Sequence, residues 1–187
     1  IALHDDATVV MIQCVEQRND ERPYCSRVCC TTAVKNALEL RERYPQLITC
    51  DISGYGDEGA YAQLKAYDLL VQAESGLLAV SGPPGQPGRV GISVCDIATG
   101  VSAALAIHEA LWRRTRTGHG EGVKLSLFDV MAEWMTVPLL HYDYLGAAPE
   151  NVGLAHPTIA PYGAFSTGDG RVLVISIQND REWRDFA

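Results

Sequence analysis

Ser81-Gly-Pro-Pro-Gly-Gln-Pro-Gly-Arg89 constrains this chain more than any other stretch, because none of it can be helix interior or central strand. Proline lacks the N–H that either ladder needs, and glycine loses the most conformational entropy on ordering. The segments on either side must therefore be separate elements joined by an irregular loop. Before it, Tyr67 to Ala79 has helical spacing, with Leu69, Leu70, Ala73, Leu77 and Leu78 expected on the buried side. After it, Arg89 to Cys95 is apolar and strand-like. Ile97 to Arg114 then reads as a helix of small residues (Ala98, Gly100, Ser102, Ala103, Ala104, Ala106) suited to close packing. Asp96 falls at that junction. Ligands of open α/β sheets collect outside the carboxyl ends of the strands, while an acidic helix cap is the plain alternative for an Asp there.

The same alternation extends in both directions. Gln46 to Ser53 is expected to be a strand, followed by the glycine-rich βα turn Gly54-Tyr-Gly-Asp-Glu-Gly59. That turn lacks both Walker A and GxGxxG spacing, so it is a weak nucleotide signature. Thr115 to Gly122 is a turn, Val123 to Leu127 a strand and Asp129 to Leu145 a helix. Strand and helix in alternation predict an α/β fold built on a parallel sheet. Gly146 to Gly153 reads as a linker. The segment His156 to Phe165, the turn Gly168-Asp-Gly170 and the strand Arg171 to Ile177 predict a hairpin. Trp183 to Ala187 shows no capping pattern. His108, His119 and His141 are expected in surface or core roles.

The first 44 residues are written differently. Thr8 to Cys14 reads as a buried strand, Glu16 to Arg22 as a charged loop, and Thr31 to Arg43 as a helix with Val34, Ala37, Leu38 and Leu40 inward. Cys25 and Cys29 at i, i+4 would share a helical face with Cys30 adjacent, and Cys14 could arrive from the strand end. Four converging thiolates suit an iron–sulfur cluster or zinc, and the contiguous Cys29-Cys30 pair favours iron–sulfur. Cys50 and Cys95 stand alone, as small buried hydrophobes usually do. A net charge of -8 argues against a general nucleic-acid binder. No apolar run is expected to span a membrane, and the N-terminus lacks a basic region and h-region, so a cytoplasmic location is expected. The expected divisions are 1–44, 45–145 and 146–187, the last a truncated second domain. Starting without Met, the chain reads as a fragment of a longer protein.

Val10-Met-Ile-Gln-Cys-Val-Glu-Gln-Arg18 and Tyr24-Cys-Ser-Arg-Val-Cys-Cys-Thr-Thr-Ala-Val-Lys35 resemble the flavoprotein subunit of heterodisulfide reductase. That resemblance implies a [4Fe–4S] cluster on Cys14, Cys25, Cys29 and Cys30, and an electron-transfer module as the alternative function. From position 45 onward, a different resemblance takes over. Leu47-Ile-Thr-Cys-Asp-Ile-Ser-Gly-Tyr-Gly56, Lys65-Ala-Tyr-Asp-Leu69, Gln72-Ala-Glu-Ser-Gly76, Asp96-Ile-Ala-Thr-Gly100, Thr117-Gly-His-Gly-Glu-Gly-Val123 and Leu125-Ser-Leu-Phe-Asp-Val130 resemble the family III CoA-transferases, in that family's order. The resemblance implies the large-domain portion of that fold and the start of its small domain. It places the family's nucleophilic aspartate on Asp96 and its CoA contacts on Lys65, Ala66, Tyr67 and Asp68. Gly153 and His156 fall in the loop that closes over the acyl group. It further implies acyl-CoA and a small carboxylic acid as substrates, an interlocked homodimer, and a preceding nucleotide-fold half absent from this chain. The related α-methylacyl-CoA racemases carry a histidine where Tyr67 stands, which disfavours racemase-like activity. Formyl-CoA transferases carry a glycine-only run where this chain has Gly153-Leu-Ala-His-Pro157, which disfavours oxalate–formate exchange.

Overall fold

The structure, a computed structural model, describes residues 28–187, apart from the side chains of Cys29 and Cys30. The expected strand Thr8 to Cys14, Cys14 and Cys25 lie outside the described residues. Two compact units divide the chain, Ile1–Thr49 with Ile107–Val123, and Cys50–Ala106 with Lys124–Ala187.

In the first unit, α1 (Val28–Arg43) is the expected helix. Its expected inner face is only partly inward: Ala37 and Leu40 are half-buried, but Val34 and Leu38 are exposed. The turn after α4 (Val94–Thr117) packs on the chain after α1. Gly120 N–H donates to the Pro45 carbonyl at 2.9 Å. A Cβ on Gly120 would lie 2.1 Å from the Leu47 carbonyl oxygen, so only glycine permits this approach.

β1 (Thr49–Ser53) and β2 (Gly122–Ser126) form a two-stranded sheet. Thr49 N–H bonds to Glu121 O and the Ser53 hydroxyl to Leu125 O, so partners advance together along both strands and the pair is parallel. A parallel pair needs a crossover, and residues 54–121, including α4, supply it.

The second unit is built around Val71, Cys95, Ala98, Val130 and Met131, with Tyr55, Ala66, Leu77, Leu125 and Phe128 packed against them. Val71 comes from α2 (Asp68–Glu74), Cys95 and Ala98 from α4, and Val130 and Met131 from α5 (Leu127–Trp134), while Leu125 belongs to β2 and Leu77 to a short helix after α2. Here the structure corrects several expectations. The single helix expected over 67–79 is two, α2 and α3 (Leu77–Val80), separated by Gly76 at φ 84°. Leu69 and Leu70 are exposed, while Val71 and Gln72 are fully buried. The helix expected over 129–145 is also two, α5 and α6 (Thr136–Leu145). Pro138 lacks the N–H that would bond back to Trp134 and is tolerated only in the first turn of a new helix.

No strand forms over Arg89 to Cys95, and α4 starts earlier than expected, at Val94. The hairpin is as expected: β3 (Tyr162–Ser166) pairs antiparallel with β4 (Val172–Ser176), Tyr162 opposite Ser176. A terminal helix, α7 (Asp180–Phe186), was not expected. Asn179 caps it by accepting from the N–H groups of Arg181 and Glu182. The Glu182 carboxylate accepts in turn from Gln178 N–H at 2.8 Å. α4 is also the one described helix long and apolar enough, by length and composition, to cross a membrane, against the expectation of no such run. Core helices of soluble proteins meet the same criterion.

Candidate active site

Asp96 is the third residue of α4, within its first turn, and neither at a strand end nor at the cap. The first α-helical bond of α4 runs from Ile97 N–H to Ser93 O at 3.0 Å, which puts Ser93 at the cap position. The capping hydrogen bond comes from elsewhere. Asp68, at the start of α2, accepts from Cys95 N–H through Oδ1 at 2.9 Å, and so places a carboxylate at the positive end of α4. Successive α4 residues then diverge by about 100°. Cys95, Ala98 and Thr99 are buried, whereas Asp96 and Ile97 face out. Among the described residues the Asp96 carboxylate makes no hydrogen bond or ion pair, and its N–H has no acceptor.

Behind this turn lies a polar cluster within the core. Gln72 is fully buried and uses both ends of its amide. Its Nε2 donates to Asp68 Oδ2 at 2.7 Å and to Val90 O at 3.4 Å, and its Oε1 accepts from Val90 N–H at 2.9 Å. A side-chain amide thus takes the place of a neighbouring strand along this extended segment. The Cys95 thiol donates to Asp68 O at 3.5 Å, and Thr99 Oγ1 to Cys95 O at 2.7 Å. Burial, and then the anionic Asp68 beside it, push the Cys95 thiol up to about 12. Adjacent to the candidate nucleophile, it is therefore inert at neutral pH.

The structure brings Asp68 and Asp96 to one helix terminus. Lys65 and Tyr67 are both exposed just before α2, and Tyr67 O accepts from Val71 N–H at 3.0 Å. Ala66 packs against the core, where a Cβ on Gly54 would lie 2.1 Å from its own Cβ. Gly56 N–H is bonded to Ser53 Oγ at 3.0 Å, which commits part of the glycine-rich turn to its own geometry. Gly153 (φ 65°) lines a cavity of about 680 Å³ with Pro83, Pro84, Leu154, Tyr162 and Phe165. His156 stands beside it, its ring 5.2 Å from that of Tyr162, and its Nδ1 accepts from Thr158 N–H at 3.1 Å. Asn151 ties the linker to the proline–glycine loop, accepting from Gly85 N–H at 3.0 Å and donating to Gln86 O. The sequence reading missed Gln72 and Asn151, because nothing local marks a polar side chain whose partners lie many residues away.

Among the described residues no group of three or more His, Cys, Asp or Glu side chains is placed to hold a metal ion. Cys14, Cys25 and the thiols of Cys29 and Cys30 are outside that statement. Cys50 is free and exposed, against the expectation of burial, and Cys95 is free and buried.

The family model described as CoA-transferase family III matches residues 36–187. The chain belongs to that family. It is 38% identical over 146 residues to the succinate–glutarate CoA-transferase of Agrobacterium fabrum, covering 78% of this chain and 36% of that protein. The acetyl-CoA:oxalate CoA-transferase of Acetobacter aceti is 38% identical over 147 residues, covering 78% of this chain and 38% of its own length. A crystal structure of a CaiB/BaiF family protein from Brucella suis superposes with a TM-score of 0.72 at 35% identity. That match covers 83% of this chain and 42% of the other. The chain thus spans little more than a third of the curated relatives it matches. The family match begins at Asn36, inside α1.

Proposed function

We propose that this chain carries the nucleophile of a CoA transfer between an acyl-CoA donor and a carboxylic acid acceptor, and that the nucleophile is Asp96. The observation that carries this reading is the condition of Asp96 in a chain of this family: an outward-facing first-turn carboxylate with no neutralising partner among the described residues. Covalent catalysis then splits one difficult exchange into two easier ones. An Asp96 oxygen attacks the thioester carbonyl, the C–S bond breaks, and CoA leaves as thiolate, giving a mixed anhydride. The thiolate attacks the aspartyl carbonyl and expels the donor acid as carboxylate, giving an aspartyl-CoA thioester. The acceptor carboxylate reverses both steps, releasing a new acyl-CoA and restoring Asp96. One negative charge is carried throughout, on carboxylate or thiolate. The first-turn N–H of Asp96 and the positive end of α4 favour the oxyanions that develop on the way.

Lys65 supplies a cation for CoA phosphate, with Ala66 and Tyr67 beside it. Gly153 and His156 border the acyl group at the cavity edge. The relatives' names point to dicarboxylates, so succinyl-CoA is the first donor to try. A homodimer or the remainder of a longer protein completes the CoA pocket.

The test is intact-mass analysis after incubation with succinyl-CoA. A CoA adduct that hydroxylamine discharges is expected in the native sequence and absent from Asp96→Ala. An adduct that survives in Asp96→Ala overturns the assignment.

A further inference from the structure

We propose that Asp68 is a positioning residue for Asp96, acting through a buried relay from Gln72 through Asp68 to Cys95, and that it does not contact CoA. The proposal rests on the reading of Asp96 as nucleophile. Both Asp68 oxygens are occupied, Oδ1 by Cys95 N–H at 2.9 Å and Oδ2 by Gln72 Nε2 at 2.7 Å. Gln72 in turn holds the backbone of Val90 on both its N–H and its carbonyl, so both amide protons of Gln72 are committed. The relay therefore ties α2 to two points on the chain leading into α4, Val90 and Cys95. Asp96 follows Cys95 directly and makes no anchoring contact of its own among the described residues. Its position is inherited from Cys95, which is fully buried and bonded to Asp68 through both N–H and thiol.

Electrostatics agrees with this division of labour. A carboxylate repels the phosphates of CoA, whereas at the start of α4 it complements the helix dipole. The anion at Asp68 also persists while Asp96 is acylated and uncharged, so the helix terminus keeps its capping partner through the catalytic cycle.

Asp68→Asn is the discriminating substitution. The variant has the same shape but one acceptor oxygen in place of two, so either the Cys95 or the Gln72 bond is lost whichever way the amide turns. Adduct formation at saturating succinyl-CoA is expected to slow at least about tenfold, as small misplacements of a reacting group do. The half-saturating concentration stays within about twofold, the signature of a group that acts without binding substrate. Asp68→Glu, which keeps two acceptor oxygens, recovers part of the rate. Hydrogen exchange at residues 94–97 accelerates in Asp68→Asn while the β3–β4 hairpin is unchanged. Gln72→Leu gives the same pattern, and serves if Asp68→Asn does not fold.

A raised half-saturating concentration with an unchanged saturating rate would make Asp68 a CoA ligand and overturn the proposal. An unchanged rate with unchanged exchange at 94–97 overturns it as well. If the native sequence forms no adduct, or Asp96→Ala retains one, the nucleophile reading fails separately. Exchange at residues 94–97 in Asp68→Asn then decides the relay alone, and no acceleration there overturns it.

Discussion

At the start of α4 a thiol and a carboxylate are neighbours in sequence, and burial separates their chemistry. Cys95 points into the core and Asp96 faces out, although one peptide bond joins them. The Cys95 thiol is held up at about 12, first by desolvation and then by the anion of Asp68. An unfolded cysteine ionises near 8.5, so the unfolded chain releases this proton first. Stability that is intact below about pH 8.5 is therefore lost progressively as pH rises toward about 12. Denaturant midpoints measured across that range should fall, and Cys95→Ala should remove part of the alkaline slope. A second prediction at this scale concerns Gly54, whose absent Cβ is what allows Ala66 to approach. Gly54→Ala forces the chain before α2 outward and should destabilise the fold by about 1–3 kcal/mol, as overpacking does, read from equilibrium unfolding. The words around Asp96 single it out as a candidate. The capping alternative for Asp96 gives way to Asp68, which accepts from Cys95 N–H from 27 residues earlier in the chain, beyond the reach of any local pattern.

Among the elements, those defined by their own residues were the ones a reading of sequence recovered. The β3–β4 hairpin follows from the turn Gly168-Asp-Gly170 between two strand-like runs, α1 from its helical spacing, and β1 and β2 as individual strands from their short runs between turns. The departures have local physical causes that periodicity ignores. Residues 89–93 look like a strand, but Val90 pairs with the amide of Gln72 and the chain bends at residues 91 and 92, so no ladder forms. The helices expected over 67–79 and 129–145 are each broken, one at Gly76 and one ahead of Pro138. α7 was overlooked although Asn179 and Glu182 carry a recognisable cap-and-return pattern. Asn179→Ala leaves two first-turn N–H groups unpaired and should cost about 1 kcal/mol. Exchange at residues 181–186 should accelerate accordingly, with the core amides of α4 unaffected.

At the scale of the whole molecule, the chain covers 36% and 38% of the two curated relatives compared. Ile97, Val101 and Leu105 recur every four residues along α4 and are 54%, 67% and 73% exposed, an apolar stripe on the helix that carries Asp96. Contiguous exposed apolar surface of this kind marks a face that another surface covers. In isolation the chain should therefore associate as its concentration rises, visible in sedimentation velocity as a weight-average mass that grows across the dilution series. Leu105→Glu introduces a charge that solvent accepts readily at an exposed site, so folding stability should change by less than about 0.5 kcal/mol. The same charge would have to be desolvated in any apolar contact, and the concentration dependence should collapse. A native chain that stays monomeric throughout, or a Leu105→Glu chain that associates as before, would show that the stripe takes no part in assembly.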